Sequence, residues 1–197
     1  MSMLLPAELA WYVTGRFYVG ENDGAIADYG YFLHLGGIAA PLFAAAPAES
    51  TAHFTFAATP FKAAQLSNGG LQLGVDPVGD FSVYLQRQPA GNFDDPASFA
   101  RGECIGRFRR TSLVVGTTVT APSGQALITA NVFSARLIAS TPFEFGGRDY
   151  DLARMLGAGV TQFGTAAAQA ITPAPAGYAL VLPFTGSALA LGMPAAD

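Results

Sequence analysis

The sequence predicts a mainly β chain folded as a single antiparallel β-barrel of roughly seven to nine strands, with one helix towards the C-terminus. Three observations carry that expectation. Several segments alternate apolar and polar residues with period two, the mark of a half-buried strand. Clusters of Gly, Asn, Asp and Pro separate those segments as turns. Charge is also scarce: charged residues are 12% of the 197 and hydrophobic residues 51%, against about 25% charged in an ordinary soluble domain. A chain this apolar is better served by a closed barrel than by an open sheet, because closure removes exposed strand edges. A β-sandwich is the alternative. One domain spanning residues 1–197 accommodates the length, and no internal repeat points to a propeller or solenoid.

The strands are read in order. Ala10 to Val19 sets Trp11, Val13 and Phe17 against Tyr12, Thr14 and Arg16. Glu21-Asn22-Asp23-Gly24 turns the chain into Ile26 to Leu35, with Tyr29, Tyr31 and Leu33 on one face and Asp28, Gly30, Phe32 and His34 on the other. An Ala-, Gly- and Pro-rich stretch from Gly36 to Ser50 leads to Thr51 to Thr59, which Pro60 stops. Leu71 to Val75 and Asp80 to Gln88 follow, separated by Asp76-Pro77-Val78-Gly79. The clearest feature is a long hairpin, Phe99 to Thr120 against Gln125 to Thr141, around Ala121-Pro122-Ser123-Gly124. Runs this long exceed the usual strand of about 5–6 residues and suggest the coiled sheets of barrels.

Towards the C-terminus the pattern changes. Leu152, Met155, Leu156, Val160, Phe163, Ala167 and Ile171 recur at helical spacing, so a helix is expected over 149–171, capped by Asp149 or Asp151. Gly157, Gly159 and Gly164 weigh against it. Tyr178 to Leu191 reads as a final strand region.

Composition narrows the function. The net charge of -4 excludes the basic footprint of a nucleic-acid binder. The Arg101, Arg107, Arg109, Arg110 cluster reads as a solvated strand edge. The single cysteine, Cys104, excludes an intramolecular disulfide and reads as a buried, inert thiol. Residues 1–10 lack a signal-peptide pattern, and no apolar run reaches the ~20 residues of a membrane-spanning helix. A cytoplasmic location without a transmembrane segment is the expectation. Scarce charge leaves an apolar outer surface, which suggests a homo-oligomer.

Motifs for nucleophilic, phosphate-binding or zinc-dependent chemistry are absent, and the two histidines exclude a three-histidine site. One constellation stands out. If the strands around His34 and His53 pair as an antiparallel hairpin centred between Phe43 and Ala44, the two imidazoles lie opposite each other. Asp28 then shares the face of His34. Such a cluster inside a barrel suits general acid/base work, with Tyr31 or Tyr84 donating hydrogen bonds. The plainer alternative is two half-buried imidazoles bonded to backbone or water. No cofactor and no metal are called for.

Trp11-Tyr12 at the start of the first strand resembles the opening of the lipocalins, although Leu9 stands where that family carries glycine. In outline the barrel also resembles allene oxide cyclase and the dirigent proteins. The long strands, the aromatic load and the lack of a strong catalytic motif point to a barrel around an apolar small molecule, binding it or acting as a cofactor-independent cyclase or isomerase. The aromatic load of the first half fits such a lining. The alternative is a structural, self-assembling protein that builds a homo-oligomeric shell or complex.

Overall fold

The computed structural model describes residues 3–60, 62, 64–68, 71–76, 79–111, 114–120, 126–167 and 169–192. Its strands are β1 (Leu9–Gly20), β2 (Ile26–Leu35), β3 (Phe54–Ala58), β4 (Ala64–Asn68), β5 (Leu71–Asp76), β6 (Asp80–Leu85), β7 (Glu103–Arg110), β8 (Val114–Thr120), β9 (Ala126–Ser140), β10 (Phe143–Phe145), β11 (Arg148–Tyr150), β12 (Gly159–Ala166) and β13 (Tyr178–Ala190). Helix α1 is Leu152–Leu156. Eight strands close an antiparallel barrel in the order β12, β13, β1, β2, β3, β6, β7, β9, with β9 returning to β12. The mainly β barrel with one helix that the sequence predicts is therefore present.

Period two decides which side chains fill it. On β1, Trp11, Val13 and Phe17 are buried inside, while Tyr12, Thr14 and Arg16 point outward. Trp11 sits at the centre of an edge-to-face cluster, with its ring centroid 5.6 Å from Phe32, 5.5 Å from Phe108 and 6.3 Å from Phe81. Such pairs add about 0.5–1.5 kcal/mol beyond the area they bury. Lower down, Phe17 stacks on Phe184 at 4.4 Å. Glycines make room for this ring: Gly15 and Gly30 face each other across β1 and β2. A methyl group on Gly15 would meet the Phe184 ring at 2.9 Å, and one on Gly30 would meet the Phe56 ring at 2.7 Å.

One end of the barrel is plugged. Leu152, Met155 and Leu156 of α1 are buried in the main core, beside Phe143 and Tyr150 of the β10–β11 hairpin. Outside the wall a second, smaller core forms. Tyr18 points outward yet is fully buried, because residues 86–102 fold back over it, and its hydroxyl donates to the Phe93 carbonyl at 2.7 Å. Thr55 likewise donates to Phe99 O at 2.6 Å.

The predicted helix over 149–171 contracts to α1. Asp151 caps it, accepting from Ala153 N at 2.9 Å. Gly157 ends it with φ 68°, and Gly159 at φ 150° lies so close to the Ala135 carbonyl that no side chain fits. From Gly159 the chain is β12, the strand that closes the wall. The helical spacing of Val160 and Phe163 was a coincidence of composition: Val160 is buried and Phe163 is 47% exposed, on opposite faces of a strand. The basic cluster also divides. Arg107 and Arg109 are exposed as expected, but Arg110 shares the parity of Phe108 and points inside. Cys104 is exposed rather than buried, because a bulge between Val83 and Tyr84 shifts its register.

The expected long hairpin is β7 and β8 against β9, with its turn outside the described residues. β7 and β8 together lie along the same side of β9, so they act as one interrupted strand. β6 and β5 form a second such strand, and β3 and β4 a third. Backbone bonds carry the ladders across the interruptions: Thr59 N to Asp80 O at 2.9 Å, Arg110 N to Gly79 O at 2.9 Å and Thr111 N to Ser134 O at 2.9 Å. Past the barrel these strands continue as a four-stranded sheet in the order β4, β5, β8, β9, at the end opposite α1.

Candidate functional site

The predicted His34–His53–Asp28 cluster does not assemble. Asp28 points into the barrel on the same face as Gly30 and Phe32. Between Phe32 and His34 the strand bulges: Val13 pairs with Phe32 and Tyr12 with His34, leaving Leu33 extra. One inserted residue reverses the faces beyond it, so His34 is exposed outside. The second assumption fails by register. Tyr31 pairs with Thr55, and the β2–β3 ladder covers only Tyr29 to Tyr31. His53 is half-buried, its Nδ1 at 2.9 Å from Gln86 O and its ring 5.2 Å from Phe145. Tyr31 and Tyr84 lie on the outer face. Tyr31 packs edge-on to Phe43 at 6.1 Å, and Tyr84 pairs with Thr55 and Cys104 in the wall.

What the barrel does gather inside is a different polar set. Asp28 Oδ1 lies 3.3 Å from Arg110 Nη2, with the two side chains 9% and 3% exposed. The guanidinium also stands over the Phe133 ring at 5.0 Å, a cation–π contact. Near it the Trp11 indole N–H donates to Gln162 Oε1 at 3.1 Å. Burial pushes the Asp28 carboxyl above its ordinary range, and the Arg110 charge pulls it part of the way back. The space left among Trp11, Asp28, Phe56, Phe133 and Gln162 is about 10 Å³. That is room for about one water, whereas small-molecule sites hold about 300–1,000 Å³. Around these residues the interior is a packed core with a polar centre. Parity with Phe108 was the signal in the sequence that could have placed Arg110 there.

A shallower depression of about 360 Å³ lies at the plugged end, between Glu144, Asp149, Asp151 and Arg154 over Phe143 and Tyr150. Asp151 is committed to local structure, accepting from Ser140 Oγ at 2.6 Å as well as capping α1.

The third candidate is the sheet beyond the barrel. Residues 63–75 and 111–135 contain no Asp, Glu, Lys, Arg or His. These stretches include β4, all but the last residue of β5, β8 and the first ten residues of β9. Within the register, Ala64, Val75, Val115, Val132 and Phe163 fall in one row across five strands. Val132 (37%) and Phe163 (47%) in this row are exposed, as is Leu66 (56%), two residues along β4 from Ala64. β4 is the last strand of the sheet, with β5 on one side. The sequence showed the long uncharged runs but not that they emerge together from one end.

Comparison with protein-family models, curated proteins and solved structures finds no match for this chain. Among the described residues no helix is long and apolar enough to cross a membrane.

Proposed function

We propose that the chain is a structural, self-assembling protein: a packed barrel serves as a rigid body, and the four-stranded sheet beyond it joins copies into a homo-oligomer. The observation that carries this reading is the sheet itself. Ordinary proteins blunt an exposed sheet edge with Lys, Pro or a short strand. Here the strands beyond the barrel, apart from Asp76 at the end of β5, lie in stretches without charge, and Leu66 on the last strand is exposed. An uncharged sheet edge is a template for another chain. Native mass spectrometry and light scattering test the reading. A discrete oligomer that dissociates when Leu66→Lys places a charge on β4 supports it. A wild-type monomer across micromolar concentrations rejects it.

A second reading is an apolar small molecule held inside the barrel, with an acid/base step at Asp28. Its support is the aromatic lining around a buried carboxyl of raised pKa. It requires several Phe side chains to move aside. A bound mass that accompanies the natively purified protein and is lost on denaturation would favour it.

A further inference from the structure

The two edges of the sheet belong to different strands, and they match. β4 pairs with β5 from Ala64 to Asn68 and, among the described residues, has no strand on its other side. β9 pairs with β8 from Ala126 onward. Its ladder with β12 stops at Thr165 opposite Ala130. Among the described residues Ala126–Thr129 therefore present one open edge. The sheet is antiparallel throughout and has four strands in the order β4, β5, β8, β9. With an even number of strands, its two edge strands run in opposite directions. A second copy rotated about an axis along the strands then brings its β4 antiparallel to the β9 of the first. The junction continues the pattern that every ladder of the barrel already follows.

Resting on the self-assembly reading, we propose that β4 of one copy adds to Ala126–Thr129 of β9 in the next copy, head to tail, and that repetition closes a ring. The occupant of each edge is a second copy of this chain because the chain carries both halves of the junction. Recognition of an edge runs through backbone N–H and C=O groups, which need no charged partner. The absence of charge from residues 63–75 and 111–135 also spares the junction the repulsion that a net charge of -4 per copy creates elsewhere. Pairing β4 with β4 about a two-fold axis would leave the β9 edge open in every dimer. The head-to-tail arrangement uses both edges, and ring closure leaves none.

Disulfide trapping tests the junction. Cys104 is the only cysteine and is exposed, so the variants are built on Cys104→Ser. Ser67→Cys is mixed in turn with Ala126→Cys, Leu127→Cys, Ile128→Cys and Thr129→Cys under mild oxidation. Thermal melts confirm that each variant is folded. The expected result is a covalent dimer in at least one mixture and none from Ser67→Cys alone. The matching double variant then gives a ladder that ends at the subunit number of the wild-type oligomer. Dimers from Ser67→Cys alone would mean two-fold pairing and overturn the proposal. A wild-type oligomer with no cross-link from position 67 to 126–129 would overturn the junction while leaving self-assembly standing. A wild-type monomer would overturn both.

Discussion

Asp28 on β2 and Arg110 on β7 meet inside the barrel, 3.3 Å apart, although β3 and β6 stand between their strands in the wall. The contact crosses the interior and ties two parts of the sheet that share no backbone ladder. Removing one member of a buried pair costs about 3–5 kcal/mol, because the other charge stays in the core. Asp28→Leu is therefore expected to lose about that much stability in urea unfolding. Arg110→Met added to Asp28→Leu is expected to recover most of the loss. A double variant no more stable than Asp28→Leu would show that the charges are not coupled.

The same pair gives a pH dependence with a definite sign. In the unfolded chain Asp28 titrates near the usual value of about 3.9. In the fold, burial holds its carboxyl above that value against the pull of Arg110. The native state thus holds the proton more tightly. Its contribution to stability is greatest below the unfolded pKa and is lost as pH rises through the folded one. The melting temperature of wild type minus that of Asp28→Asn should fall as pH is raised from about 4. A difference that grows with pH would contradict the direction.

Trp11 is the only tryptophan, so its fluorescence reports on the barrel centre. Gln162→Leu removes the acceptor of its indole N–H. A buried donor without a partner costs about 1–3 kcal/mol. The expected outcome is a loss of that order in denaturant unfolding, with emission shifted to shorter wavelength. Unchanged emission would place the indole in contact with another acceptor.

Gly30→Ala tests the packing between β1 and β2. The added methyl would collide with the Thr14 carbonyl, the Gly15 backbone at 2.6 Å and the Phe56 ring at 2.7 Å. Backbone cannot yield as a side-chain tip does, so the cost exceeds the ordinary 1–3 kcal/mol of overpacking. The variant is expected to melt well below wild type. Gly24→Ala serves as the control, since a methyl there meets nothing within 4 Å and costs only the strain of its φ of 64°.

The barrel was legible in the sequence because β1 and β6 alternate cleanly, because the two runs of the long hairpin are rich in Val, Ile, Thr, Phe and Leu, and because turn residues mark their ends. Two features hid the rest. Leu152, Met155 and Leu156 belong to a helix, and the apolar residues after them fell by chance on the same spacing. Only backbone strain at Gly157 and Gly159 separates helix from strand there. The candidate site was misplaced by one inserted residue, Leu33, and by a β2–β3 register that pairs Tyr31 with Thr55. Alternation is a parity rule, so one bulge inverts every side chain beyond it, and no propensity at Leu33 announces one. Arg110 was legible in principle, since it alternates with Phe108. Its partner Asp28 lies 82 residues away, beyond the reach of any local pattern.

β1 lies beside β13 along almost its whole length, from Leu9 opposite Leu189 to Gly20 opposite Tyr178. During synthesis the first strand therefore waits for the last before the wall can close. Domains built on contacts so distant in sequence fold slowly. Through that interval the uncharged β8 and the uncharged first ten residues of β9 are already made and have no finished barrel behind them. Slow closure beside sticky strands favours premature association of nascent chains, so cooler and slower expression should raise the yield of correctly closed protein.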